Sequence, residues 1–97
     1  MSTLHFTWDD RKASLNQKKH SISFDEAQSA FYDDNARLSY DLDHSEDEDR
    51  FVLLGMSYAL RVLVVCHCYR EGNTLIRIIS ARKATKREHK QYKGFLL

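Results

Sequence analysis

Ninety-seven residues, 42% of them apolar and 11% aromatic, supply one small hydrophobic core and exclude a multidomain enzyme. With 30% charged residues but a formal net charge of only +1, the chain also falls outside the low-hydropathy, high-charge regime of disordered proteins. No proline and only three glycines leave no linker-like stretch, so residues 1–97 are expected to form a single domain.

In chain order, Leu4 to Trp8 reads as a short extended run, and Asp9 stands where an N-cap accepts hydrogen bonds from a helix running through His20. Ser23-Phe24-Asp25-Glu26 fits a capping box, after which Phe24, Ala27, Ala30 and Phe31 share one helical stripe. Asp33-Asp34-Asn35 ends that helix. Four strands are expected at 37–42, 50–57, 61–69 and 74–81, the last two joined by a tight turn at Glu71-Gly72-Asn73. A second capping box, Thr85-Lys86-Arg87-Glu88, opens a terminal helix with Tyr92, Phe95 and Leu96 at anchoring spacing. The order βααββββα, mostly antiparallel, places the chain in the α+β class.

The last two strands carry the most informative alternation. Val62, Val64, Cys66, Cys68, Ile76 and Ile78 form one set and predict a core face. The other set mixes Leu63, Val65, Leu75 and Ile79 with Arg61, His67, Tyr69 and Arg77, which are costly to bury unpaired. An odd turn at 71–73 makes the clean apolar faces coincide and sets His67 opposite Arg77, beside a cleft on the less apolar face.

Charge is unevenly spread. Asp41, Asp43, Glu46, Asp47, Glu48 and Asp49 form an acidic stretch without a lysine or arginine. Arg82, Lys83, Lys86, Arg87, Lys90 and Lys93 gather at the end, and Arg11, Lys12, Lys18 and Lys19 near the start. If the two basic groups meet they form a phosphate-binding footprint; otherwise they are solvated helix faces. Cys66 and Cys68, one residue apart in a strand, are too widely spaced for an unstrained disulfide, which suggests a reducing compartment. No apolar run approaches a membrane span and the N-terminus lacks a signal pattern, so a cytoplasmic location is expected.

Several motifs together point to a family. Ile76-Arg77-Ile78-Ile79-Ser80-Ala81-Arg82-Lys83-Ala84-Thr85, followed by Glu88 and Tyr92, resembles the signature of the BrnT ribonuclease toxins of bacterial type II toxin–antitoxin pairs. Phe6-Thr7-Trp8-Asp9 with Lys12 and Asn16, Lys19-His20, Ile22 to Ala27, Phe31 and Asp33 fall in that family's order and spacing. So do Glu48-Asp49-Arg50, Gly55 and His67-Cys68-Tyr69-Arg70. The resemblance implies a RelE-like fold and RNA cleavage that arrests growth. It also implies a cognate BrnA-like antitoxin that dimerises and binds DNA, so that operator DNA is reached only through the antitoxin. Two positions depart from the family pattern. Asp10 replaces a usual Pro, which is harmless in a first helical turn. Ser21 replaces a usual Gly, where a left-handed conformation costs a serine energy.

Cleaving RNA without a metal requires a base for the ribose 2′-hydroxyl, cations for the phosphorane and an acid for the departing 5′-oxygen. Arg77 is the first choice for the phosphate, since a guanidinium grips two oxygens and keeps its charge; Arg50, Arg61 and Arg82 follow. His67 or His20 suits the acid or base, with Glu48 as an alternative base. Lys19 and Lys86 belong to the basic groups that would meet RNA, Ser80 suits a phosphate hydrogen bond, and Tyr92 suits stacking on a base or orienting a phosphate. Structural readings compete: His20 favours the negative end of its helix, Arg77 pairs with Glu48 or Glu88, and Tyr92 anchors the last helix. No metal site and no cofactor are expected, since His67 points away from Cys66 and Cys68 and no second ligand pair stands at finger spacing. Besides the toxin, two other functions fit: an inactive binding module or co-repressor of the same fold, and a nucleic-acid-binding domain without turnover.

Overall fold

The structure, a computed structural model, describes residues 4–72 and 74–94. Phe95 and Leu96 of the expected terminal anchor, and Asn73 of the expected turn, lie outside the described residues. After strand β1 (His5–Thr7), the Asp9 carboxylate accepts from the backbone N–H groups of Arg11 (2.8 Å) and Lys12 (3.2 Å) and starts helix α1 (Asp10–His20). These bonds hold the Asp9 carboxyl below its ordinary range.

Helix α1 stops at Ser21, whose φ of 59° is left-handed and whose N–H reaches the Gln17 carbonyl. A Cβ in that conformation is strained, so Ser21→Gly should raise stability by about 0.5–1 kcal/mol, read by denaturant unfolding.

Helix α2 (Phe24–Ser29) is capped by Ser23, whose hydroxyl accepts from the Glu26 N–H at 3.0 Å. The expected reciprocal half of the box is absent: the Glu26 carboxylate goes instead to Arg61 and to the Ser57 hydroxyl. A 3₁₀ turn at Ala30–Tyr32 tightens the end before Asp33. Strands β2 (Arg37–Tyr40), β3 (Phe51–Met56), β4 (Val62–Arg70) and β5 (Leu75–Lys83) follow, then helix α3 (Lys86–Gly94). At α3 the capping box is complete, with Glu88 N–H to Thr85 Oγ1 at 3.2 Å and Thr85 N–H to Glu88 Oε1 at 2.9 Å. Among the described residues no helix is long and apolar enough to cross a membrane.

The five strands form one mixed sheet in the order β1-β5-β4-β3-β2. All neighbours are antiparallel except β1, which lies parallel to β5 with Phe6 beside Ile76. That parallel edge was not legible in sequence, because three residues carry too little alternation to assign a partner.

Ile22, Phe24, Ala27 and Ala30 pack on one face of the sheet against Leu53, Leu63, Val65, Ile76, Ile78 and Ala81. Each large side chain buried there contributes about 1.5–3 kcal/mol. Gly55 sits under the same layer, where an added Cβ would lie 2.9 Å from the Ala30 carbonyl oxygen.

The expected faces of the last hairpin are overturned. Arg70 pairs with Leu75, so the connection spans the even number of residues 71–74, with Glu71 (φ 49°) and Gly72 (φ 66°) both left-handed. His67 therefore faces Ile78, and Arg77 faces Cys68. A bulge after Cys66 shifts the register again, so that Cys66 pairs with Ser80 and Val64 with Arg82. Leu63, Val65 and His67 point to the helices, while Val64, Cys66 and Cys68 lie on the outer face.

Candidate functional site

The site begins with that bulge. Ile79 is the extra residue, and it re-aims the end of β5 so that Ile79 and Ser80 stand between two clefts, one on the outer side of the sheet and one against α1. Beneath Ser80, the cross-strand row Val52–Cys66–Ser80 forms the floor, and the row Leu54–Val64–Arg82 lies next to it.

One cleft, about 210 Å³ in volume, is closed by the loop between β2 and β3 and lined by Asp41, His44, Arg50, Cys66, Ser80 and Arg82. The loop is fastened at its base: the Asp41 N–H donates to the Arg50 carbonyl at 2.8 Å, and the Arg50 N–H donates to the Ser45 hydroxyl at 3.0 Å. Arg50 Nε is sealed from solvent and has no hydrogen-bond partner among the described residues; Glu48 Oε1 lies 3.7 Å away, too far to accept well. An unmet buried donor on a cation is a costly feature that an anionic ligand would relieve. Arg82 is gripped by Glu88 at 2.7 and 3.0 Å, which pushes the Glu88 carboxyl down to about 2 and ties α3 to the rim.

The second cleft, about 200 Å³, is lined by Lys12, Lys19 and His20 of α1 together with Asn16, Ile79 and Ser80. Asn16 fixes this wall. Its side chain is buried, donates to the Ile22 and Ala81 carbonyls at 2.9 Å each, and accepts from the Ala81 N–H at 3.0 Å. Asn16→Ala should cost about 2–3 kcal/mol, measured by urea unfolding, because it leaves three buried backbone groups unpaired.

Among the expected residues, the structure thus gathers Lys19, His20, Arg50 and Arg82 around Ser80. It does not bring in the others. His67 is fully buried between Phe31 and Tyr69, with Nδ1 3.1 Å from the Val65 carbonyl and Nε2 3.3 Å from the Tyr69 hydroxyl. Burial pushes it down to about 4, so it stays neutral near pH 7 and has no path to a substrate. Arg77 is on the outer face but three residues, about 10 Å, along β5 from Ser80, beside Asp9. It pairs with neither Glu48 nor Glu88, which are taken by Arg70 (3.0 Å) and Arg82. That leaves Glu48 facing two arginines, a structural acceptor and not a free base.

Arg61 chelates the buried Glu26 carboxylate from the helix side of the sheet, far from both clefts. This pairing holds Glu26 below the ordinary carboxylate range. The Tyr92 hydroxyl donates to Asp33 at 2.6 Å, so the anchoring reading of Tyr92 holds; burial pushes its phenol up to about 12. Lys86 is exposed at the start of α3, outside both clefts.

Asn16, Asp41 and His44 were not among the expected site residues, and Lys12 was expected only as one of the N-terminal basic group. The Asp41/His44 spacing of three was the available signal, but it gains meaning only when the intervening residues form a turn, as they do in the 3₁₀ turn at Leu42–His44. Cys66 and Cys68 are both free thiols, as their spacing required.

A small mixed sheet with α2 packed on one face and, on the other, a cleft that Arg50 and Arg82 line beside Asp41 and His44 defines a small α+β protein with a charged cleft. The family model described as the ribonuclease toxin, BrnT, of type II toxin–antitoxin systems matches residues 8–88, and the chain belongs to that family. The fold is shared with the crystal structure of the Brucella abortus ribonuclease toxin BrnT, at a TM-score of 0.64 and 22% identity, over 87% of this chain and 100% of that one. Among curated proteins, none matches significantly.

Proposed function

We propose that this chain is a metal-independent endoribonuclease whose substrate RNA crosses the outer face of the sheet at Ser80. One observation carries the reading: Ser80 is the shared wall of two clefts, with Lys12, Lys19 and His20 on one side and Arg50 and Arg82 on the other. A scissile phosphate at Ser80 would accept from its hydroxyl and from the unmet Arg50 donor, while Lys12 and Lys19 hold the neighbouring phosphate. Arg50 and Arg82 then stabilise the charge that grows on the phosphorane, where fixed donors matter most. His20 protonates the departing 5′-oxygen.

As a type II toxin, the chain has an antitoxin partner. We take that partner to be BrnA-like, dimeric and DNA-binding, the fold to be RelE-like, and the site of action to be the cytoplasm. The test is digestion of total bacterial RNA in chelator, with and without translating ribosomes. Products ending in 2′,3′-cyclic phosphate and 5′-hydroxyl, and their disappearance when antitoxin is added, are expected. Tight antitoxin binding without cleavage in either format would instead support a binding module.

A further inference from the structure

The ribonuclease reading leaves one group unassigned: the base that takes the 2′-hydroxyl proton. His67, Glu48 and Arg77 are spoken for by burial, ion pairing or distance. The loop over the larger cleft offers another. His44 Nδ1 lies 3.0 and 3.2 Å from the two Asp41 carboxylate oxygens, and its ring lines the same cleft as Arg50, Ser80 and Arg82.

The two members differ in setting, as an acting group and its positioning group should. Asp41 is nearly covered, with 13% of its side chain exposed, whereas His44 is 67% exposed. An ionised carboxylate only accepts, so Asp41 fixes the proton on Nδ1 and leaves the Nε2 lone pair free toward substrate. Asp41 is itself held: its N–H donates to the Arg50 carbonyl, its carbonyl accepts from the Ser45 hydroxyl, and the Cys66 thiol lies 3.9 Å from its carboxylate. The same loop base therefore fixes His44 and Arg50 relative to each other.

Resting on the ribonuclease reading, we propose that His44 is the general base of the cleavage, with Asp41 as its positioning residue. Nε2 takes the proton from the ribose 2′-hydroxyl. The 2′-oxygen bonds to phosphorus, the P–O5′ bond breaks, and the leaving 5′-oxygen takes a proton from the His20 imidazolium. Net charge and protons balance: His44 ends protonated and His20 neutral, and solvent exchange resets both.

The test measures kcat and KM of RNA cleavage in chelator for wild type, His44→Ala and Asp41→Asn, with thermal unfolding as the folding control. His44→Ala should lose about 100-fold in kcat with KM little changed, and added imidazole should restore part of the rate. Asp41→Asn should lower kcat less and leave His44 able to act.

The pH profile supplies a second readout. The groups around His44 are the carboxylates of Asp41, Asp43, Glu46, Asp47 and Glu48, the cations Arg50 and Arg82, and the Cys66 thiol. As the proton acceptor His44 would set the rising limb of the kcat profile, so His44→Ala should remove that limb. Wild-type kcat in folded His44→Ala, or a loss that imidazole leaves untouched, overturns this assignment alone. Absence of cleavage by the wild type overturns the ribonuclease reading and this one with it.

Discussion

Arg50→Ala is expected to lower kcat for RNA cleavage about 100-fold, equivalent to about 2.7 kcal/mol of transition-state stabilisation. The side chain brings a buried Nε donor without a partner to the cleft wall. Its backbone N–H and carbonyl close the loop base, so truncating the side chain leaves those bonds, and the fold, in place. Arg77→Ala, placed along β5 outside both clefts, should cost less than tenfold. Kinetics of both variants in chelator, with circular dichroism to confirm folding, measure the difference. Equal losses at the two positions would move the phosphate site toward Arg77.

The second large effect is on stability against pH. Burial lowers His67 from its ordinary 6.5 to about 4 in the folded state. Between these two values the unfolded chain takes up a proton that the folded chain refuses. Stability therefore falls as pH drops from about 6.5 to about 4, and the contribution of this residue levels off below. Each tenfold difference in proton affinity is worth about 1.4 kcal/mol, which makes the loss about 3 kcal/mol. His67→Phe, which keeps a ring between Phe31 and Tyr69, should flatten that part of the curve even if its stability at pH 7 is lower. Urea unfolding at pH 7, 5.5 and 4 reads both slopes, and identical slopes would show that His67 is protonated equally in the two states.

Local signals carried well from sequence to structure. The Asp9 and Ser23 caps, the Thr85/Glu88 box, the stripe of Phe24, Ala27, Ala30 and Phe31, and the four later strands all appear within a residue or two, because each depends on neighbours in the chain. Long-range facts did not carry. The partner of β1 is set by a sheet edge some 70 residues away, and the faces of β4 and β5 depend on the parity of one turn and on one bulge, neither of which alternation reveals.

That single parity error has a large effect on the site. It exchanged His67 for Cys68 as the neighbour of Arg77 and so built a cleft where the structure has core. Of the two basic groups, Asn16 binds α1 to the end of β5 and so brings Lys12 and Lys19 beside Ser80, whereas of the C-terminal group only Arg82, paired with Glu88, lines a neighbouring cleft. Glu26 shows the limit of motif reading: the capping-box glutamate was legible, but its partner Arg61 lies 35 residues on.

Whether RNA lies across the sheet at Ser80 is read directly by amide chemical-shift mapping with an oligoribonucleotide that carries 2′-fluoro groups and so cannot be cut. Shifts are expected to centre on Ile79 and Ser80 and to extend to Lys12, Lys19, His44 and Arg50. Shifts confined to α3, or to the surroundings of Arg61 and Ser57, with the two clefts unperturbed, would contradict that placement.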